Sequence, residues 1–386
     1  MDKQLPGDFH IDRWQDGPLN RWAFQHVSEF LATHEILAKD ICDTSEIPMN
    51  PSVANVTLLE DIEVSVDGRS LTLSEIIGET HTDSMVVLRN GKIVYERYFH
   101  GMNIDSKHLL QSISKSILGV LYAIMIDRGV IDPDKSMSHY LPELTSSVFG
   151  TATIAQALDM RVAVKFTEDY ASPDSEMSRL DRACGWKANP TGDYSTLRSF
   201  LLSLTTRITD VHVEHGSEFQ YCSATTDVLA WLISHVTGVP YSKLLEREIW
   251  WPIGARQNAN ITVDSEGLAV GNGGISSTTR DMALLGHVIL NGGKAIGGEQ
   301  VIPMSWITNI CLGNRYKNQW WIGNHPEQYR TNEIHARGIY GQYLWIDHDT
   351  NTVIAKFSSD PHARNTPKFG VHTAMFRSIC KCVLEP

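Results

Sequence analysis

Ser112-Ile-Ser-Lys-Ser-Ile-Leu-Gly-Val-Leu-Tyr-Ala-Ile-Met-Ile126 is the stretch on which the reading of this chain turns. On a helix, residues three apart share a face, so Ser112 Oγ and Lys115 Nζ can meet. The uncharged run from Ile117 to Ile126, closed by Asp127 and Arg128, is about half the ~20 residues a bilayer span needs, and it predicts a buried core helix. A buried, partly desolvated lysine beside a serine can lose its proton near neutral pH and then accept the hydroxyl proton, because burial disfavours the ammonium. The spacing alone is a weak signal, since Ser378-Ile-Cys-Lys381 repeats it. Context separates the two copies. The first follows a strand pair and opens an apolar helix, whereas the second belongs to a terminal helix with charge on one side and no polar companions.

Upstream, Ser84-Met-Val-Val-Leu-Arg-Asn-Gly-Lys-Ile-Val-Tyr-Glu-Arg-Tyr-Phe99 reads as two strands joined at Asn90-Gly91, a strong hairpin signal. Downstream, Gln342-Tyr-Leu-Trp-Ile346 and Thr352-Val-Ile-Ala-Lys-Phe357 flank a turn-prone Asp347–Asn351 segment. Between the hairpins the period is mostly helical, as in Thr226 to Thr237 with Gly238 as its stop. Two remote hairpins, each with a face to bury, most economically join one antiparallel sheet. The expected fold is α+β, an antiparallel sheet flanked by helices with an inserted helical domain. The expected boundaries are a covering N-terminal arm over 1–54, a discontinuous sheet domain over 55–125 and 280–386, and a helical domain over 126–279. Within the arm, the amphipathic patch from Arg21 to Leu31 is suited to pack on a larger body.

The 386 residues are 42% hydrophobic, 20% charged and 9% aromatic, an ordinary globular balance. A net charge of −12 opposes non-specific phosphate binding, so nucleic acid is not an expected partner, and neither is a membrane. The six cysteines, at 42, 184, 222, 311, 380 and 382, form no Cys-x-x-Cys pair and suit reduced thiols. No basic segment followed by an apolar one opens the chain, and the expected compartment is the cytoplasm. Walker, dinucleotide, His-Glu-x-x-His and Gly-x-Ser-x-Gly motifs are missing from the sequence.

Two further elements accompany Ser112 and Lys115. Tyr221-Cys-Ser223 stands just before the helix from Thr226, where a tyrosine suits proton relay to a leaving group and Ser223 is a small donor beside it. Gly338-Ile-Tyr-Gly-Gln342 puts glycines at the edge of a strand, where an acyl group can approach backbone N–H donors.

The order and separation of these elements resemble the serine β-lactamase and penicillin-binding superfamily, class C β-lactamases and their related esterases in particular, over about residues 80 to 380. Supports are Ser112-Ile-Ser-Lys115, Ile126-Asp-Arg-Gly-Val-Ile-Asp-Pro133, Tyr221-Cys-Ser223 and Asn272-Gly-Gly-Ile-Ser-Ser-Thr-Thr-Arg-Asp281. Within it, Trp14-Gln15, Asn20-Arg-Trp-Ala-Phe24, Glu168-Asp-Tyr170, Ser175-Glu176, Phe219-Gln-Tyr-Cys-Ser-Ala224, Gln319-Trp-Trp321 and Tyr340-Gly-Gln342 are similar to the 6-aminohexanoate-dimer (nylon-oligomer) hydrolases. The resemblance implies that Ser112 is acylated, that Lys115 is the base, that Tyr221 transfers a proton, and that the N–H groups of Ser112 and Ile339 form the oxyanion hole. It implies amide- and amino-group handling by Tyr170, Asp181 and Asn272.

Two departures matter. Where class C β-lactamases carry Tyr-x-Asn and Lys-Thr-Gly, this chain has Tyr221-Cys-Ser223 and Ala336-Arg337-Gly338, with Arg337 or His335 as the available replacement for the missing lysine. Lactamase activity is therefore expected to be weak or missing. The expectation is a serine hydrolase of small linear amides or esters acting without metal or cofactor. The alternatives are a carboxylesterase, or a catalytically silent binding protein that kept the fold. A homodimer is a further expectation, since apolar arm residues can cover the chain's own body or a second copy.

Overall fold

Asn90 and Gly91 both take left-handed backbone, with φ of 50° and 72°, the pairing a two-residue hairpin turn requires. The computed structural model describes residues 5–7, 9–39, 47, 59–206, 213–323 and 332–382. The first hairpin is Thr82–Arg89 with Lys92–Tyr98, and the second is Gln342–Asp347 with Thr352–Ser358. They meet as expected, with Val86 opposite Ala355 across an antiparallel pair. Among the described residues the sheet has seven strands, in the order Lys92–Tyr98, Thr82–Arg89, Thr352–Ser358, Gln342–Asp347, Glu333–Gly338, Trp320–Ile322 and Tyr316–Lys317.

Alternation along Thr82–Arg89 divides the core. Val86 and Leu88 join the large apolar cluster that includes the helix Ile113–Asp127. Met85 and Val87 join a second cluster, with Tyr343, Trp345, Met375 and Phe376, under the terminal helix Phe369–Cys382. Within the large cluster the helix Thr279–Leu290 packs on the sheet, brought close by Gly286, where a Cβ would stand 2.5 Å from a methyl of Val353. The helix Ser223–Thr237 ends at Gly238, φ 65°, as its sequence predicts.

Helices are the main regular elements of the interval 126–279, separated by long irregular segments, and it also carries two short strands, Ala259–Thr262 and Ile275–Ser277. These form a four-stranded sheet with His108–Leu109 and with Thr33–Ile36 of the arm. Strands this short and fully buried show no usable alternation in sequence. The arm thus supplies a strand as well as a cover. Its Trp14 is 1% exposed, meets the rings of Phe24, Phe30 and Trp186 edge-on, and donates from Nε1 to the Trp186 carbonyl at 2.7 Å. Residues 40–46 and 48–54 of the arm, Cys42 among them, lie outside the described residues. The other five cysteines are free thiols. Among the described residues no helix is long and apolar enough to cross a membrane.

Trp14→Ala is expected to cost about 3–5 kcal/mol, the usual loss for emptying a large buried aromatic site, read as a lowered urea midpoint at unchanged slope.

Candidate active site

The chain leaves the strand His108–Leu109 through Gln111, a non-glycine residue held at φ 49°, and turns into Ser112 at the N-terminus of the helix Ile113–Asp127. Left-handed backbone at a residue with a side chain is strained, and such strain persists only where surroundings over-determine it. Here Gln111 is buried and its amide reaches Gln15 of the arm at 3.2 Å. Ser112 does not cap the helix with its side chain. Its Oγ lies 2.8 Å from Lys115 Nζ instead.

Lys115 is 1% exposed, inside a helix whose residues Ile113 to Met125 are all buried, whereas Lys381 of the second Ser-x-x-Lys copy is exposed. Its Nζ also donates to the main-chain oxygen of Asn272 at 2.7 Å. Asn272 is itself fixed by Asp227, which accepts from Asn272 N at 2.9 Å and from Nδ2 at 2.7 Å. Burial pushes the Asp227 carboxyl up to about 7, against the lowering effect of both Asn272 bonds and of Lys115. Sequence reasoning missed Asp227, which reads as one polar residue in an apolar helix. Asn272, expected to face substrate, spends its side-chain amide on Asp227 and its carbonyl on Lys115.

Opposite Ser112 stands the end of the strand Glu333–Gly338. A Cβ on Gly338 would lie 2.6 Å from Leu110 O and 2.9 Å from Ser112 N, so only glycine lets the strand come this near. The turn that follows is braced throughout. Tyr340 sits at φ 63°, its N–H donates to Ala363 O, Asn365 bonds both Gly341 N and Gly338 O, and Gln342 donates to Ser358 O. The arm's Phe24 meets the Tyr340 ring at 5.1 Å. Ile339 is thereby placed at the cleft beside Ser112.

Two cavities open at Ser112. A narrow one, about 70 Å³, brings together Ser112, Tyr170, Asp181, Ser223, Asn272 and Ile339. A wider one, about 590 Å³, includes Ser112, Glu168, Tyr170, Tyr221, Arg337 and Ile339. Tyr221 stacks on Trp321 and presents its ring to Lys115, with Nζ 5.2 Å from the centroid. Glu168 ties the walls together, accepting from Tyr170 Oη at 2.8 Å and from Ser223 Oγ at 2.5 Å and N at 3.0 Å. Its position was visible in Glu168-Asp-Tyr170, but not its role as the shared acceptor. Asp181 is 6% exposed and paired with Lys187 Nζ at 3.1 Å; burial raises its carboxyl pKa, and Lys187 opposes that rise. The carboxylate to which the resemblance assigns amino-group handling thus already holds a cation. Among the described residues no group of His, Cys, Asp and Glu is assembled to hold a metal.

The β-lactamase family profile matches residues 75–369, more than half of the chain. A 6-aminohexanoate-dimer hydrolase of Paenarthrobacter ureafaciens is 36% identical over 379 residues, covering 93% of this chain and 91% of its own. Among solved structures, a Bacillus anthracis protein provisionally named a 6-aminohexanoate-dimer hydrolase superposes with a TM-score of 0.87 at 27% identity, covering 98% of both chains. A family VIII carboxylesterase shares the fold at a TM-score of 0.61 and 14% identity, over 86% of this chain and 99% of its own. With a match of this extent joined to a serine and a buried lysine in hydrogen-bond contact, the chain belongs to the β-lactamase family and is a hydrolase of the superfamily that family shares with the penicillin-binding proteins.

Proposed function

We propose that the protein cleaves small linear amides through an acyl-enzyme on Ser112, with ω-amino acid dimers of the 6-aminohexanoate type as the substrate class. The observation that carries this reading is the 2.8 Å contact between Ser112 Oγ and a fully enclosed Lys115 Nζ at the floor of an open cleft. In its neutral form the amine gives one N–H to Asn272 O and turns its lone pair to the hydroxyl. As the Ser112 Oγ–carbon bond forms, the hydroxyl proton passes to Lys115 and negative charge gathers on the carbonyl oxygen. The N–H groups of Ser112 and Ile339 and the N-terminus of a 15-residue helix receive that charge. The scissile C–N bond then breaks as the leaving nitrogen takes a proton through Tyr221, and water attacks the ester by the reverse path.

The Asp181–Lys187 ion pair favours a second reading, a carboxylesterase for neutral acyl groups, because a carboxylate already paired attracts a substrate ammonium weakly. Both readings share the Ser112 ester. What they divide on is the acyl end of the substrate.

A fluorophosphonate probe is expected to label Ser112, and neither Ser112→Ala nor Lys115→Ala is expected to be labelled at a measurable rate, since base and nucleophile act as a unit. Mass spectrometry of the adduct checks this, and label at Ser378 contradicts it. Lys187→Met leaves Asp181 unpaired, so kcat/KM for the amino-terminated dimer relative to a neutral ester is expected to rise roughly fivefold, the ~1 kcal/mol of a partly screened pair, and the gain shrinks with added salt. An unchanged ratio favours the esterase. Asp227 holds its proton to higher pH in the folded chain than in the unfolded one, where a carboxylate titrates near 4. The folded state therefore binds the extra proton between about 4 and about 7, and stability falls as pH rises across that window. Asp227→Asn removes this contribution, so its melting midpoint relative to wild type is expected to climb from pH 4 to pH 7.

A further inference from the structure

A second lysine is enclosed as completely as Lys115. Lys356, in the strand Thr352–Ser358, is 0% exposed, and these two are the buried lysines among the described residues. The mechanism built on Ser112 makes no use of it. Burying an amine is costly, and burial lowers the Lys356 pKa to about 7 although Asp83 and Asp360 favour its charge. Ile354, two residues earlier on the same face of the strand, belongs to the apolar cluster under the terminal helix, so an apolar side chain would suit the position. A lysine in that place calls for a polar task.

The groups Lys356 touches lead to the turn that carries Ile339. Its Nζ donates to Ser358 Oγ, and its second acceptor is His372 Nε2 at 3.5 Å. His372 Nδ1 lies 3.1 Å from the Lys368 carbonyl, which can only accept, so the ring proton sits on Nδ1 and Nε2 is left to receive from Lys356. Burial, with Lys356 and Lys368, pushes the pKa of this imidazole well below its ordinary value and keeps it neutral. Ser358 is thus held by its hydroxyl. Its main chain is held by Gln342, whose Oε1 accepts from Ser358 N at 3.1 Å and whose Nε2 donates to Ser358 O at 2.6 Å.

Ser358 in turn presses on the turn itself. A Cβ on Gly341, at φ 90°, would stand 2.9 Å from Ser358 Cβ, 3.1 Å from its Oγ and 3.6 Å from His372 Nε2. The cluster of Lys356, Ser358 and His372 therefore packs against Gly341 at one end of the turn, as the backbone of Ser112 packs against Gly338 at the other. Gln342 Nε2 completes the link, lying 3.2 Å from Tyr340 O and 3.3 Å from Ile339 O. Tyr340, at φ 63°, is in left-handed backbone, a strain that persists only where neighbours hold it.

We infer that Lys356 is a positioning residue for the reaction, which through Ser358 braces the Ile339–Gly341 turn so that the Ile339 N–H stands where the carbonyl oxygen gains charge. This rests on the proposed acyl-enzyme for the identity of that oxygen. Lys356 itself is shut away from substrate and acts only through the turn. A methionine fills much of the same space but offers Ser358 no donor, so the hydroxyl turns freely and the brace on Gly341 slackens. A displaced oxyanion donor is missed only once charge has developed, so substrate binding is retained while turnover falls.

The test compares Lys356→Met, Ser358→Ala and the double variant on an oxygen ester and its thionoester with the same leaving group. Lys356→Met is expected to lower kcat for the oxygen ester roughly tenfold with KM within about twofold, and to lower thionoester turnover much less, because sulfur is a poor acceptor at a hole shaped for oxygen. The oxygen-to-sulfur ratio therefore shrinks severalfold. Ser358→Ala is expected to do the same, and the double variant to be no slower than the slower single one, since both cut one brace. Urea unfolding identifies the folded variants. A ratio unchanged in either folded single variant overturns the inference, as does a double variant whose loss is the product of the two single losses. Amide hydrogen exchange at Tyr340 and Gly341, expected to quicken roughly tenfold in Lys356→Met, reads the brace without turnover. If wild-type Ser112 takes no fluorophosphonate yet exchange quickens, the brace stands and the acyl-enzyme reading falls; if exchange is also unchanged, both fall. If Ser112 is labelled, the ester ratio decides, and an unchanged ratio leaves the acyl-enzyme reading standing without the brace.

Discussion

An amine enclosed in an apolar helix at the centre of the molecule is the constraint around which this structure is arranged. A buried cation or amine without partners is costly, and Lys115 has two, the hydroxyl of Ser112 and the carbonyl of Asn272. Each partner has to be held in turn. Ser112 is delivered by a strained Gln111 backbone, and Asn272 by a buried Asp227 on the neighbouring helix. The site is thus a chain of satisfied polar groups passing through the apolar core.

The second constraint is one of distance. The strand edge that carries Ile339 approaches the Ser112 backbone closely enough that residue 338 has no space for a Cβ. Such an approach demands a turn that cannot drift, and the hydrogen bonds of Asn365 and Gln342 together with the arm's Phe24 supply that rigidity. The arm therefore contributes to the site, where its Asp12, Gln15 and Asp16 also line the narrow cavity. Trp14 fixes Trp186 and Phe24 fixes Tyr340, both of which line the narrow cavity.

Charge is distributed unevenly about Ser112. The narrow cavity is lined by Asp12, Asp16 and Asp181 with Lys187, which pairs with Asp181, and the wide one contains arginines in excess of acids among the described residues. The fold shared with lactamases, esterases and penicillin-binding proteins sets where Ser112 and Lys115 stand. These local imbalances are properties of this chain's own side chains.

Much of the fold was legible in sequence because its signals are local. Asn90-Gly91 specifies a turn by backbone conformation alone, and the apolar run after Ser112 specifies a buried helix by composition. The pairing of Ser112 with Lys115 follows from helix geometry, which is again a short-range property. The strands Ala259–Thr262 and Ile275–Ser277 escaped because four and three buried residues carry no periodic pattern, and they exist by virtue of the arm and of His108–Leu109. Likewise, nothing near Asp181 in sequence says that Lys187 turns back to it, nothing near Glu168 says that Ser223, 55 residues on, will donate to it, and nothing near Arg337 says that Trp321 will lie beneath its guanidinium. The sequence by itself determined which residues can do chemistry and which local elements carry them. Which of those groups are occupied by one another and which stay open to a substrate was decided by tertiary structure alone, because hydrogen bonds and ion pairs act over a few ångströms of space without regard to distance along the chain.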